Sequence, residues 1–255
     1  MIPVHDVNPL RRTPWVTYAL IVTNVVVFLR MPAAAHSLIG QTTLGQLCQL
    51  QAFIERWGAV PVELLHDQAP ALVPTGQGVV TQQGAGCLLG TPGYQKSPPL
   101  SVLTSMFLHN SWSHLLGNML FLAIFGNNIE DRLGRIRFLL FYLACGYTAA
   151  YGYALTSSNS AVPLIGASGA IAGVLGAYLV IYPRARVWGL IPVLFFLPLR
   201  VPAWLMLGMW FLLQALYATG YGTAQAGSVA YAAHVIGFVL GALLGFTMRG
   251  RAAVH

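Results

Sequence analysis

Four polar side chains lie in stretches that are otherwise apolar: His114, Asn118, Ser168 and His234. A serine hydroxyl beside an unprotonated imidazole is the minimum needed for an activated nucleophile, because the ring takes the hydroxyl proton as attack begins. An amide and a second imidazole add hydrogen-bond donors, the groups that stabilise the oxyanion of acyl transfer. Polar groups of this kind within membrane spans are costly, face the bundle interior and mark function.

Counting along helices places the four at one depth. Ser168 precedes Arg184 by sixteen residues, His234 precedes Arg249 by fifteen and His114 precedes Glu130 by sixteen. At ~1.5 Å per residue these are heights of ~24, ~22 and ~24 Å, with Asn118 one turn deeper at ~18 Å. The residues thus share one layer in the outer half of a hydrocarbon core ~30 Å thick.

The elements that carry them are read from composition. The 255 residues are 56% hydrophobic and only 7% charged, with a mean hydropathy of +0.67. Soluble domains carry roughly 25% charged residues, so this is a polytopic membrane protein. Six spans are expected, at about 15–29, 112–127, 137–157, 168–182, 201–219 and 229–248. The segment 1–14 is polar and interrupted by prolines, so the first span reads as a retained helix and not as a cleaved signal. The net charge of +7 does not point to nucleic acid, because the basic residues follow loop position. With the N-terminus inside, ten of the thirteen fall in inner segments: Arg11, Arg12, Arg132, Arg135, Arg137, Arg184, Arg186, Arg200, Arg249 and Arg251. That asymmetry sets both termini in the cytoplasm. Trp15, Trp112, Trp188 and Trp204 read as interfacial anchors.

The outer loop 30–111 is too long for a simple connector. "AFIERWGAVPVELL" has helical periodicity, whereas "PTGQGVVTQQGAGCLLGTPGYQKSPP" reads as irregular. Cys48 and Cys87 share this loop, where a disulfide is open to them. Cys145 lies within the third span and reads as a small packing residue. The uncharged outer segments 159–165 and 221–228 are short. A tail, 250–255, follows the membrane domain 15–249.

Small residues explain how the hydroxyl and imidazole meet. Gly166, Gly169, Gly173 and Gly176 line the fourth span, and Ala233, Gly237 and Gly241 the sixth. At this spacing two helix backbones approach closely. The same stripe would also serve packing alone.

Three motifs then carry a resemblance. "HNSWSHLLGNM" at 109–119, "GASG" at 166–169 and "AHVIG" at 233–237 resemble the rhomboid intramembrane serine proteases, and "GNNIEDRLG" resembles that family's acidic-arginine turn. The resemblance covers about residues 11–249. It implies an all-α membrane protein, a six-transmembrane-helix bundle with a long outer first loop. It also implies a serine endopeptidase acting on transmembrane protein substrates, with no metal and no small-molecule cofactor, in the plasma membrane. Ser168 would be the nucleophile and His234 the general base. His114, Asn118 and the Ser168 N–H would form the oxyanion hole that Gly166 helps to shape, and His109 would organise the outer loop. Of the six acidic residues, Asp6, Glu55, Glu63, Asp67, Glu130 and Asp131, none lies in a span at this depth, so a dyad is expected. Glu130 and Arg132 read as a turn pair. Some relatives place an aromatic one turn after the serine to stack on the imidazole. Here that position is Ala172, so a residue of the second or fifth helix must hold His234.

Other chemistries fit worse. There is no HExxH metal motif, no pair of intramembrane aspartates, and "GASGA" departs from the GxSxG elbow. The rivals are a catalytically inactive relative that binds membrane proteins, and a transporter using His234 as a proton relay.

Overall fold

The computed structural model describes residues 2–37, 42–66, 72–82, 84–191, 197–220 and 230–249. Its elements, in chain order, are β1 (Ile2–Asp6), α1 (Trp15–Leu29), a 3₁₀ turn (Ala33–His36), α2 (Leu44–Trp57), α3 (Pro61–His66), β2 (Val73–Thr81) and β3 (Gly84–Gly90). There follow α4 (Pro98–Ser105), α5 (Trp112–Phe121), a π turn (Leu122–Gly126), α6 (Asn127–Leu133) and α7 (Arg135–Thr156). The last are α8 (Ser168–Ile181), β4 (Arg186–Ile191), β5 (Leu197–Pro202), α9 (Ala203–Ala218) and α10 (Tyr231–Arg249). The chain is mostly helical. By length and hydropathy, α7 and α10 are able to cross a bilayer, and α1, α8 and α9 are shorter apolar helices. The expected segments 221–228 and 250–255, the start of the sixth span at Val229, and Asp67 lie outside the described residues.

The described residues form two compact units. The first comprises Met1–Ile21, Asn118–Gly152 and Ser168–His255. Its centre is the pair α8 and α10, whose backbones touch because glycine faces glycine. A methyl on Gly241 would run into the carbonyl oxygen of Gly173, and one on Gly237 into that of Gly169. α7 closes the same stripe from the side. Its Cys145 Cβ lies 2.5 Å from where a Gly173 methyl would stand, and its Ala149 Cβ 2.7 Å from a Gly169 methyl. Cys145 is fully buried there, as a small packing residue.

The reading of 1–14 as a plain polar segment missed a strand. β1 pairs antiparallel with β4, and β4 with β5, in the order β1-β4-β5. Asp6 anchors β1. Its Oδ2 accepts from Tyr178 Oη at 2.7 Å and from Asn128 Nδ2 at 2.8 Å. Burial raises the Asp6 carboxyl above the usual carboxylate range, against the pull of these hydrogen bonds. The expected fifth span, 201–219, begins two residues late, because Pro202 ends β5 and holds the extended position just before α9.

The Glu130–Arg132 turn pair is also corrected. The Glu130 carboxylate accepts from the backbone N–H groups of Val16 and Thr17, at 3.0 and 2.7 Å, and from Thr17 Oγ1 at 2.8 Å. It therefore caps the first turn of α1, where unpaired N–H groups favour an anion. Arg132 instead donates to the Met248 carbonyl at 3.1 Å, near the end of α10. Gly134, at φ +77°, stops α6, and its N–H closes on Glu130 O at 2.7 Å.

The second unit comprises Val22–Gly117 and Tyr153–Ala167. "AFIERWGAVPVELL" is helical as expected, but it is broken between α2 and α3 at Gly58. The Gly58 N–H bonds Ile54 O at 2.7 Å, and a side chain there would meet that same oxygen. Thr43 and Gln46 form a capping box at the start of α2. The stretch read as irregular instead contains the antiparallel hairpin β2–β3. Cys87 on β3 forms a disulfide with Cys48 on α2. Lys96 reaches back to Glu63 Oε2 at 2.6 Å and to Glu55 O at 2.8 Å. Both carboxyls are buried, and burial raises that of Glu55, while Lys96 opposes the shift. Trp112 is packed, not a bare anchor: its ring lies 4.9 Å from Phe28, and Nε1–H donates to His36 O at 3.0 Å.

Candidate active site

Ser168 is the first residue of α8, so its backbone N–H has no acceptor within the helix. The chain enters that helix under restraint. Leu164 and Ala59 exchange backbone hydrogen bonds of 2.7 and 3.1 Å, and the Gly166 N–H donates to Ser105 O at 2.8 Å. Gly166 holds φ at +106°, a conformation that glycine adopts without a steric penalty.

His234 lies on the first turn of α10. The contact of α10 with α8 at Gly169 and Gly237 brings the two side chains together: Ser168 Oγ and His234 Nε2 are 2.7 Å apart. Both residues are half-buried, not sealed. The other ring nitrogen, Nδ1, is 2.7 Å from Gln214 Oε1 on α9. An amide oxygen only accepts, so Nδ1 carries the proton and donates it. Nε2 of the neutral ring is then the acceptor for the serine hydroxyl, the arrangement a general base needs.

The support that Ala172 does not give comes from α9. Trp210, one turn before Gln214, lies 6.0 Å from the imidazole at 31°. Tyr231 meets the ring edge-on at 6.3 Å. Phe211 stacks on Phe238 at 4.6 Å and fixes α9 against α10. The expectation of a residue on the second or fifth helix thus falls on the fifth. Gln214 itself was missed, although an amide within an apolar helix was a signal that could have found it.

Asn118 belongs to the same unit as Ser168 and His234 and is buried. His114 and Gly166 belong to the second unit. There, His114 Nδ1 donates to Asn110 Oδ1 at 3.1 Å. His109 is fully buried, its ring edge-on to His114 at 4.9 Å. Burial, and then the neighbouring His114, push the His109 imidazole down to about 3, so it is neutral at ordinary pH. A neutral buried ring suits the loop-organising part expected of it.

Comparison with known proteins converges on one family. Residues 97–251, more than half of the chain, match the profile described as Rhomboid domain. Rhomboid protein 1, mitochondrial, of Saccharomyces cerevisiae is 32% identical over 151 residues, covering 58% of this chain and 41% of that protein. RHOMBOID-like protein 1 of Arabidopsis thaliana is 30% identical over 168 residues, with coverages of 65% and 39%. Rhomboid protease GluP of Bacillus subtilis is 45% identical over 78 residues, with coverages of 31% and 15%. The chain spans about two fifths or less of the length of these relatives.

Proposed function

The chain belongs to the rhomboid family of membrane proteins, and on that premise we propose that it is an intramembrane serine protease with a Ser168–His234 dyad. The observation that carries this reading is the 2.7 Å hydrogen bond from the Ser168 hydroxyl to His234 Nε2, with the Nδ1 proton held on the far side. Ser168 Oγ attacks the carbonyl carbon of a peptide bond, and its proton passes to Nε2. The Ser168 N–H and Asn118 donate to the resulting oxyanion, and the family resemblance implies His114 and Gly166 for the same role. His234 then protonates the leaving amine, and water repeats the sequence on the acyl-enzyme.

The substrates in this reading are transmembrane segments of other proteins. A membrane helix hides its amides in its own hydrogen bonds, so it must unwind before attack. Spans containing Gly or Pro beside small residues are therefore preferred. That neither Ser168 nor His234 is fully buried supports access for water. Residues 15–249 form a six-span domain with the loop 30–111 outside and both termini in the cytoplasm, in a plasma membrane. Lateral entry is past the fifth helix, α9.

The test is cleavage in proteoliposomes of tagged single-span substrates, with products mapped by mass spectrometry. Wild type cuts spans carrying Gly or Pro faster than an all-Leu span, and Ser168→Ala cuts none. Substrate binding without cleavage by wild type would favour the inactive relative. Solute uptake that survives both Ser168→Ala and His234→Ala would favour transport.

A further inference from the structure

Gln214 is the only Asn, Gln or charged side chain in α9, whose sequence is AWLMLGMWFLLQALYA. An amide in an apolar environment is costly unless it is hydrogen-bonded, and its oxygen meets His234 Nδ1 at 2.7 Å. The opposite edge of the same ring meets Ser168 Oγ at 2.7 Å. The three side chains thus form a line, Gln214–His234–Ser168, drawn from α9, α10 and α8. Gln214 and Trp210 are four residues apart, so they share a helix face, and both touch the imidazole.

We infer that Gln214 is the positioning residue of the dyad: it holds His234 in the Nδ1–H tautomer and so makes Ser168 reactivity depend on where α9 sits. The inference rests on the reading of Ser168 as nucleophile and His234 as base. The chemistry runs in three parts. In the resting state an acceptor at Nδ1 excludes the tautomer that carries the proton on Nε2, which cannot take the serine proton. As the Ser168 proton moves to Nε2, the ring becomes a cation and Nδ1–H remains on Gln214 Oε1, where the bond strengthens because its donor is now charged. Gln214 itself takes no proton. An acidic residue performs this orientation in a serine triad; here a neutral amide does it, so no charge is buried among the helices.

The geometry also joins the imidazole to α9. Any movement of α9 away from α10 takes Oε1 from Nδ1 and frees the ring to change tautomer. A helix that parts to admit substrate would therefore switch the base off until it closes again.

The test uses the full chain in proteoliposomes and a fluorophosphonate probe, with the rate of Ser168 labelling followed against pH. Gln214→Met keeps the length of the side chain and removes the acceptor. Labelling is expected to fall on the order of 10- to 100-fold, the value of one hydrogen bond to a charged group. Gln214→Glu keeps an acceptor and adds a charge that favours the imidazolium. It is expected to label near the wild-type rate at high pH, with the acidic limb of the profile moved to higher pH by about one unit or more. A merely structural amide would move neither limb nor tautomer. The second readout, independent of activity, is the ¹⁵N spectrum of His234 assigned by difference from His234→Ala. Wild type shows a protonated Nδ1 and a bare Nε2, and Gln214→Met shows a mixture. If Gln214→Met does not fold, the limb shift in Gln214→Glu decides. Wild-type rate and limb in the folded variants, with Ser168→Ala dark, would overturn the inference and leave the protease reading intact. If wild type labels no more than Ser168→Ala, the protease reading fails, and the ¹⁵N spectra alone judge the tautomer: an unchanged spectrum in Gln214→Met overturns it.

Discussion

Replacing Gly237 by alanine pushes one methyl group into the carbonyl oxygen of Gly169. The obstacle is backbone, so no side-chain rotation relieves it. At native packing density the two helices must part by on the order of 1 Å to seat the methyl. Ser168 adjoins Gly169 in sequence, and His234 precedes Gly237 by three residues. The opening therefore falls on the 2.7 Å bond between them. It lengthens to roughly 3.7 Å, beyond hydrogen-bond range. A misplacement of about 1 Å costs around 10²-fold in rate. Overpacking of this kind costs about 1–3 kcal/mol, which a folded chain survives. The assay is fluorophosphonate labelling of Gly237→Ala, with thermal unfolding followed in the same detergent. Two controls grade the result. Gly245→Ala, whose nearest obstacle is 3.1 Å away, should lose less than about 3-fold. Gly208→Ala on α9 meets nothing within 4 Å and should label as wild type. Wild-type labelling by Gly237→Ala would refute the argument that glycine contact sets the dyad distance.

The remaining predictions concern the second unit. His109 stays neutral in the fold down to about pH 3, whereas the unfolded ring takes a proton below its ordinary value of 6.5. Stability is therefore full above that value and is lost as pH falls between the two, by on the order of 5 kcal/mol at the lower end. His109→Asn should flatten that slope in pH-dependent thermal unfolding. Lys96→Met removes the ion pair of the buried Glu63 carboxylate and the cation near the buried Glu55 and should cost about 3 kcal/mol or more at neutral pH. Glu55, already raised by burial, takes up a proton in the folded state first, so the loss should shrink as pH falls. Reducing the Cys48–Cys87 disulfide, which closes a separation of 39 residues, should cost about 4 kcal/mol by loop entropy, read as a lower unfolding temperature.

How much of this was legible in the residues varies by element. The approach of α8 to α10 was readable because small side chains recur at helical spacing, and that spacing survives without knowledge of partners. Ser168 and His234 were readable as polar groups at one depth. Gln214 stood out as an amide in an apolar helix, but its partner did not, because His234 is twenty residues away and an amide does not say where its partner lies. β1 was hidden for a similar reason: four of its five residues pair with Val187–Leu190 far along the chain. The β2–β3 hairpin is largely exposed, so it lacks the alternation of apolar and polar residues that marks a half-buried strand. Glu130 was paired with its near neighbour Arg132, whereas the unpaired N–H groups of α1 offered the carboxylate a stronger site.

The most direct measurement is the position and dependence of the fluorophosphonate adduct on the intact chain in lipid, mapped by peptide mass spectrometry. A single adduct on the Ser168 oxygen, absent in Ser168→Ala and reduced at least ~10³-fold in His234→Ala, is the predicted result. An adduct of equal yield in His234→Ala, or one on another residue that persists without Ser168, would contradict it.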